Sequence, residues 1–202
     1  DYPVEFLTHI IYSFCHLQNG LLHVDNKNDS ATIEALVDLK KRKPGLKVIL
    51  SLGGWGGCAP CSEAFSTEKG RNNFSMSTKN LLQYFKADGI DLDWEYPAIS
   101  GFPGHTFTAG DKQNFTYLLQ SLRTTLGNKY EISFAAGGFT SFLDSSVEWG
   151  KIAPLVDKVN LMTYDLVNGF STVTGHHTPL YSTPGQLEST DHAVQYLSNI
   201  GF

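Results

Sequence analysis

The stretch Asp88-Gly89-Ile90-Asp91-Leu92-Asp93-Trp94-Glu95-Tyr96-Pro97 sets four carboxylates among bulky apolar side chains. In an extended strand alternate side chains share a face, so Asp91, Asp93 and Glu95 stand on one side and Ile90, Leu92 and Trp94 on the other. Same-face neighbours lie about 6.6 to 7 Å apart along a strand. Three carboxylates in such a row cannot all ionise cheaply, so they are expected to share protons and titrate as a coupled set. That is the material of general acid and base catalysis. A structural role is the weaker reading, because unpaired charge is costly to bury and structural acids seldom alternate with an apolar face. A metal site is weaker too, since no histidine shares the strand and three acids on one strand make a poor cage. Asp88 has the opposite parity and follows a helical stretch, which predicts a structural role at the strand entrance.

The elements that must position this row follow from periodicity. Apolar runs rich in β-branched and aromatic residues recur at 8–14, 47–52, 89–94, 131–136 and 158–164, each followed by glycines or polar residues and then by helical spacing. Helices are predicted over 30–41 with Ser30 as cap, and over 69–85, 112–126, 144–155 and 190–200. Strand and helix alternating in this way indicate a parallel sheet covered by helices. Most strands start about 40 residues after the one before, and eight such units would need roughly 300 residues, the usual size of a (β/α)8 barrel. The chain of 202 residues therefore reads as a single partial domain over 1–202, an arc of five consecutive strand-helix units. An open arc leaves unpaired edges and an uncovered interior. A doubly wound open sheet is the structural alternative, but no strand is followed by a phosphate-binding glycine fingerprint.

Composition narrows the partners. With 15 Lys plus Arg against 20 Asp plus Glu, 41% hydrophobic residues and a net charge of −5, the chain is neither disordered nor a membrane span. Only Lys40-Lys41-Arg42-Lys43 forms a basic cluster, so neither nucleic acid nor an anionic bilayer is expected, and a neutral partner is. Asp1-Tyr2-Pro3-Val4-Glu5 lacks the basic and then apolar character of a signal peptide, as expected of a chain that begins inside a folded domain. Cys58 and Cys61 form one C-x-x-C without a second pair for zinc, and the flanking glycines and proline do not suggest a redox helix. Either a local loop disulfide or two packed thiols fits, and Cys15 reads as a small buried hydrophobe. No metal or cofactor is called for.

The acid stretch resembles the D-x-x-D-x-D-x-E signature of glycoside hydrolase family 18, the chitinases, with Glu95 as the last acid. Two further family motifs stand in the same order: S-x-G-G as Ser51-Leu52-Gly53-Gly54, followed by Trp55, and M-x-Y-D as Met162-Thr163-Tyr164-Asp165. The run 8–14 also looks like the family's second strand, which places the present strands as the second to sixth of a (β/α)8 TIM barrel. The resemblance implies retaining, substrate-assisted hydrolysis of β-1,4-linked N-acetylglucosamine polymers, with a site at the C-terminal strand ends. By that resemblance Glu95 is the general acid and base, Asp93 holds the acetamido group, Asp91 shares a proton with Asp93, and Tyr164 aligns the acetamido oxygen. Asp165 would contact the same sugar, Met162 would shape the pocket floor, and Ser51 would help bear charge on Asp91. Trp55 and Tyr96 are the expected sugar platforms, whereas Trp94 and Trp149 are expected in the core. Phe102 and Phe107 either edge the cleft or anchor their loop, and His176-His177 is expected to hydrogen-bond its own loop. The resemblance further implies a secreted or periplasmic monomer that acts on chitin or a related oligosaccharide. A chitinase-like lectin without activity, or an endo-β-N-acetylglucosaminidase acting on N-glycan or peptidoglycan, are the competing readings. The intact acids favour an enzyme over the lectin.

Overall fold

The computed structural model describes residues 3–202; Asp1 and Tyr2, on which part of the N-terminal reading rests, lie outside them. Six strands form one sheet in the order β2-β1-β3-β4-β5-β6. They are β1 (His9–Gln18), β2 (Leu21–His23), β3 (Lys47–Gly53), β4 (Gly89–Asp93), β5 (Glu131–Gly137) and β6 (Lys158–Met162). All neighbours run parallel except the β1–β2 hairpin. The five expected strands are therefore present and adjacent in chain order.

The helices are α1 (Lys27–Asp38), α2 (Cys61–Phe65), α3 (Glu68–Phe85), α4 (Asp111–Leu126), α5 (Thr140–Ser145), α6 (Trp149–Ile152) and α7 (Thr190–Asn199). The core lies between them and the outward strand faces. Phe65 packs edge-on against Phe74 of α3 and Trp94, while Phe115 of α4 packs against Phe134 of β5. Ile90, Leu92 and Trp94 are all buried, as the strand parity predicts. Trp149 is buried as well, its indole N–H donating to the Leu143 carbonyl at 2.7 Å.

Several local expectations needed correction. Helix α1 is capped by Asn26, not Ser30: the Asn26 side chain accepts the N–H groups of Asn28 and Asp29, and Ser30 falls in the first turn with its hydroxyl on the Asn26 carbonyl. Strand β1 continues past residue 14 into an unpredicted hairpin, because Asn19 and Gly20 both adopt positive φ, the chemistry of a tight type I′ turn. The single helix expected over 144–155 is broken into α5, α6 and a 3-10 turn over Ala153–Leu155, where Gly150 and Pro154 weaken a continuous ladder. Cys58 and Cys61 form a disulfide, and Cys61 opens the short α2, so a helix does follow that motif.

Interior positions at the N-terminal strand ends carry charge. Glu131 takes Lys47 on one carboxylate oxygen, and on the other Lys158 at 2.6 Å and His9 at 2.9 Å. Asp88, at the entrance of β4, accepts the Val48 N–H at 2.7 Å and pairs with Lys40 at 2.5 Å, which is the structural role its parity predicts. Burial alone would push the Glu131 carboxyl up, but hydrogen bonds from Lys158, Lys47 and His9 prevail and bring it down to about 2. A carboxyl lowered in the folded state contributes stability that is full above its ordinary value of 4.5 and is lost as pH falls towards 2. The Glu131 side chain is 17% exposed, so solvent screens the cluster only in part. Glu131→Gln is expected to destabilise the fold by about 2 kcal/mol near pH 7, read by urea unfolding, and the difference should vanish near pH 2. A constant difference across that range would contradict the ion cluster.

Candidate active site

The row begins at a buried carboxylate. Asp91 is 4% exposed, and an ionised group there needs donors. Strand register supplies two of them, since Ser51 of β3 and Ser133 of β5 stand directly opposite Asp91 on either side. Ser51 donates to Oδ2 at 2.8 Å, Ser133 to Oδ1 at 2.6 Å, and the Asn160 amide of β6 to Oδ1 at 3.0 Å. Ser133 and Asn160 were not singled out from the sequence. Their signal was parity: each is the inward polar residue of a strand whose alternate side chains face the helices.

Both Asp91 oxygens are engaged by these donors, and no hydrogen bond joins Asp91 to Asp93. Asp93 Oδ1 is instead buried without a hydrogen-bond partner. Burial first, and then the charges of Glu95 and Asp91, push the Asp93 carboxyl up to about 7. Strand β4 ends at Asp93, so Glu95 lies just past the ladder, in the turn at its C-terminal end. Its carboxyl is also raised, mainly by burial and further by the Asp165 charge, with the Tyr96 hydroxyl opposing. Two neighbouring acids raised in this way keep their protons to higher pH than free carboxyls do, the direction that proton donation to a leaving group requires.

Strand β6 likewise ends early, at Met162, which is buried. Tyr164 and Asp165 follow it at the same end of the sheet. Tyr164 is 51% exposed, and its hydroxyl pKa is raised by burial and by the charges of Asp93, Glu95 and Asp165. The phenol is thus near enough to these three acids to feel their charges. Asp165 adopts a left-handed backbone with φ 57°, and its carboxylate stands 3.4 Å from His177 Nδ1. His176 and His177 otherwise serve their own loop, through Gln186 and Leu166.

Gly53 and Gly54 continue β3 at positive φ. The Gly54 N–H donates to the Asp93 carbonyl at 2.9 Å, and a Cβ on Gly53 would stand 2.3 Å from that same oxygen. These glycines let the loop close over the end of β4 and deliver Trp55, which is 53% exposed. Tyr96 differs from the expected exposed platform: its ring is packed edge-on against Phe139 and Phe142, with the hydroxyl towards Glu95. Among the described residues no three His, Cys, Asp or Glu side chains are grouped to hold a metal.

Comparison with known proteins gives the family. The family model for glycosyl hydrolases family 18 matches residues 1–202. The chain is 36% identical over 162 residues to Chitinase A1 of Niallia circulans, covering 77% of this chain and 23% of that protein. It is 31% identical over 195 residues to mouse Chitotriosidase-1, covering 92% of this chain and 41% of that protein. It thus spans less than half the length of these relatives. The chitinase domain of the spore coat protein CotE from Clostridium difficile superposes with a TM-score of 0.91 at 34% identity, over 100% of this chain and 59% of that one. The parallel strands are accordingly an arc of a TIM barrel, with the acid row at its C-terminal strand ends, and the chain belongs to glycosyl hydrolases family 18.

Proposed function

We propose that this domain supplies the acid machinery of a chitinase, cleaving β-1,4 bonds between N-acetylglucosamine units with retention of configuration. The observation that carries this reading is the buried, unpartnered Asp93 Oδ1, in a carboxyl raised by the charge of Glu95 and close enough to Tyr164 to act on its phenol. An orphaned buried acceptor is costly, and the N–H of an acetamido group would satisfy it.

The chemistry follows from that placement. The acetamido N–H donates to Asp93 while Tyr164 donates to its carbonyl oxygen, turning that oxygen towards the anomeric carbon. As it attacks, the glycosidic C–O bond breaks and protonated Glu95 gives its proton to the leaving oxygen. The resulting oxazolinium ion is cationic, and the carboxylates of the row stabilise it. Glu95, now ionised, takes a proton from water; the water oxygen bonds to the anomeric carbon, and the oxazolinium ring opens. The donors on Asp91 keep the base of the row in place beneath Asp93. Trp55 offers a flat apolar face for a sugar ring, Asp165 a polar contact beside it, and Met162 the floor. Such a substrate, together with the disulfide, fits action outside the cytoplasm, with no cofactor.

Glu95→Gln in the full-length protein is expected to lower turnover of a chromogenic chitobioside by at least three orders of magnitude, the upper part of what positioned acid catalysis supplies being 10⁴ or so, roughly. Oligosaccharide binding should survive in the same variant. Equal rates in wild type and variant would remove Glu95 from the reaction, and wild-type binding without turnover would turn the assignment towards a lectin. Asp93→Asn should slow the reaction severely, and a thiazoline analogue of the intermediate should inhibit the wild type; indifference to that analogue would exclude acetamide participation.

The pH profile provides a second check. Because Glu95 must be protonated to donate, activity falls as pH rises through its elevated pKa, so the alkaline limb of kcat/KM should lie above the ordinary carboxyl value of 4.5. Asp165→Asn removes a like charge that raises Glu95, and should move that limb to lower pH. A limb that stays in place or moves upward would contradict the coupling.

A further inference from the structure

Two loops meet beside the acid row, and their joint is aromatic. The loop after β3 carries Trp55, and Phe102, from the loop after β4, packs edge-on against the indole with centroids 5.4 Å apart and planes at 69°. His105 also packs against Phe102, at 4.8 Å and 40°, fixed by a turn in which its N–H donates to the Phe102 carbonyl at 3.0 Å.

The backbone on both sides is shaped for this contact. Gly56 has φ 86°, and a Cβ there would stand 3.1 Å from the Phe102 ring. Gly101 crosses so close to the acid that a Cβ would stand 2.1 Å from the Glu95 carbonyl oxygen. The same two loops are tied a second time where each runs into its helix. Asp111, fully buried at the start of α4, accepts the Thr108 N–H at 2.8 Å and the Ser62 hydroxyl of α2 at 2.9 Å. The Cys58–Cys61 disulfide closes the chain between Trp55 and Ser62. Trp55, exposed on one side, is therefore held from the other by a wall clamped at both ends and resting on the backbone of Glu95.

We propose that Phe102, backed by His105, is a positioning residue that holds the Trp55 indole at a set angle beside the acid row, as a platform for one N-acetylglucosamine ring of a bound chain. This rests on the reading of the cleft given above. The platform acts by affinity for chains long enough to reach Trp55 and leaves the bond-breaking step alone. An edge-to-face aromatic pair contributes enough to change affinity about three- to tenfold.

The test uses the full-length protein with 5-fluorotryptophan, in wild type, Phe102→Ala, Phe102→Tyr, Trp55→Ala and the double alanine variant. In Phe102→Ala the fluorine resonance lost in Trp55→Ala should shift or broaden while those of Trp94 and Trp149 stay put, and Phe102→Tyr should restore it. With N-acetylglucosamine oligomers of two to six units, Phe102→Ala should raise KM and weaken calorimetric binding about three- to tenfold for the longer oligomers, with kcat and the chitobioside rate unchanged. The double variant should bind no worse than Trp55→Ala, since Phe102 acts through that ring. An unmoved Trp55 resonance, an equal loss at every chain length, or losses that add independently would each overturn the proposal. A shifted resonance in a protein that binds no oligomer would instead count against the chitin reading and leave the positioning role supported.

Discussion

A carboxylate buried on the inner face of a parallel sheet has to be given donors by the strands beside it, and the candidate site is arranged around that requirement. Asp91 meets it with Ser51, Ser133 and Asn160, drawn from three strands that are far apart in sequence. The solution works only in one register, with Ser51, Asp91 and Ser133 opposite one another. A slip of one residue would exchange the acid row for Leu92 and Trp94 and turn the charges into the core. Packing on the outer face and hydrogen bonding on the inner face thus select the same alignment.

Along the interior the polar groups pass from satisfied to unsatisfied. At the N-terminal strand ends Glu131 is surrounded by Lys47, Lys158 and His9 and held far below its ordinary range. In the middle Asp91 is engaged by neutral donors. At the C-terminal ends Asp93 and Glu95 are both raised chiefly by burial, Asp93 further by the charges of Glu95 and Asp91 and Glu95 by that of Asp165, and Asp93 Oδ1 has no partner. Unmet hydrogen bonds and raised acids at one end of a scaffold are what a reacting ligand can use, whereas the saturated end can only contribute stability. The glycines after β3 and the loop after β4 then close around that end, which is why Trp55 emerges beside the acids.

Much of this was legible in one dimension. Strand parity placed Asp91, Asp93 and Glu95 together, sent Trp94 to the core, and gave Asp88 its place at the strand entrance. What parity could not show was where a strand stops: β4 ends at Asp93 and β6 at Met162, so Glu95 and Tyr164 are set by turn geometry beyond the ladder. The hairpin at Asn19-Gly20 is legible through its turn chemistry, both residues having positive φ. The broken helix after β5 was not, because six-residue and four-residue helices are too short to show a period.

By itself, then, the amino-acid order determined which residue types alternate, and hence the parallel sheet, its helix-facing side and the identity of the acid row. Alternation and spacing are local properties of a chain, and local sterics suffice to read them. Only the tertiary structure decided which groups bond Asp91, that Asp93 is left with an open acceptor, that Tyr96 packs inward while Trp55 faces out, and that Phe102 meets Trp55. Those outcomes depend on strand register and on distances between segments forty or more residues apart, roughly one strand-helix unit or longer, and they exist only once the sheet has formed.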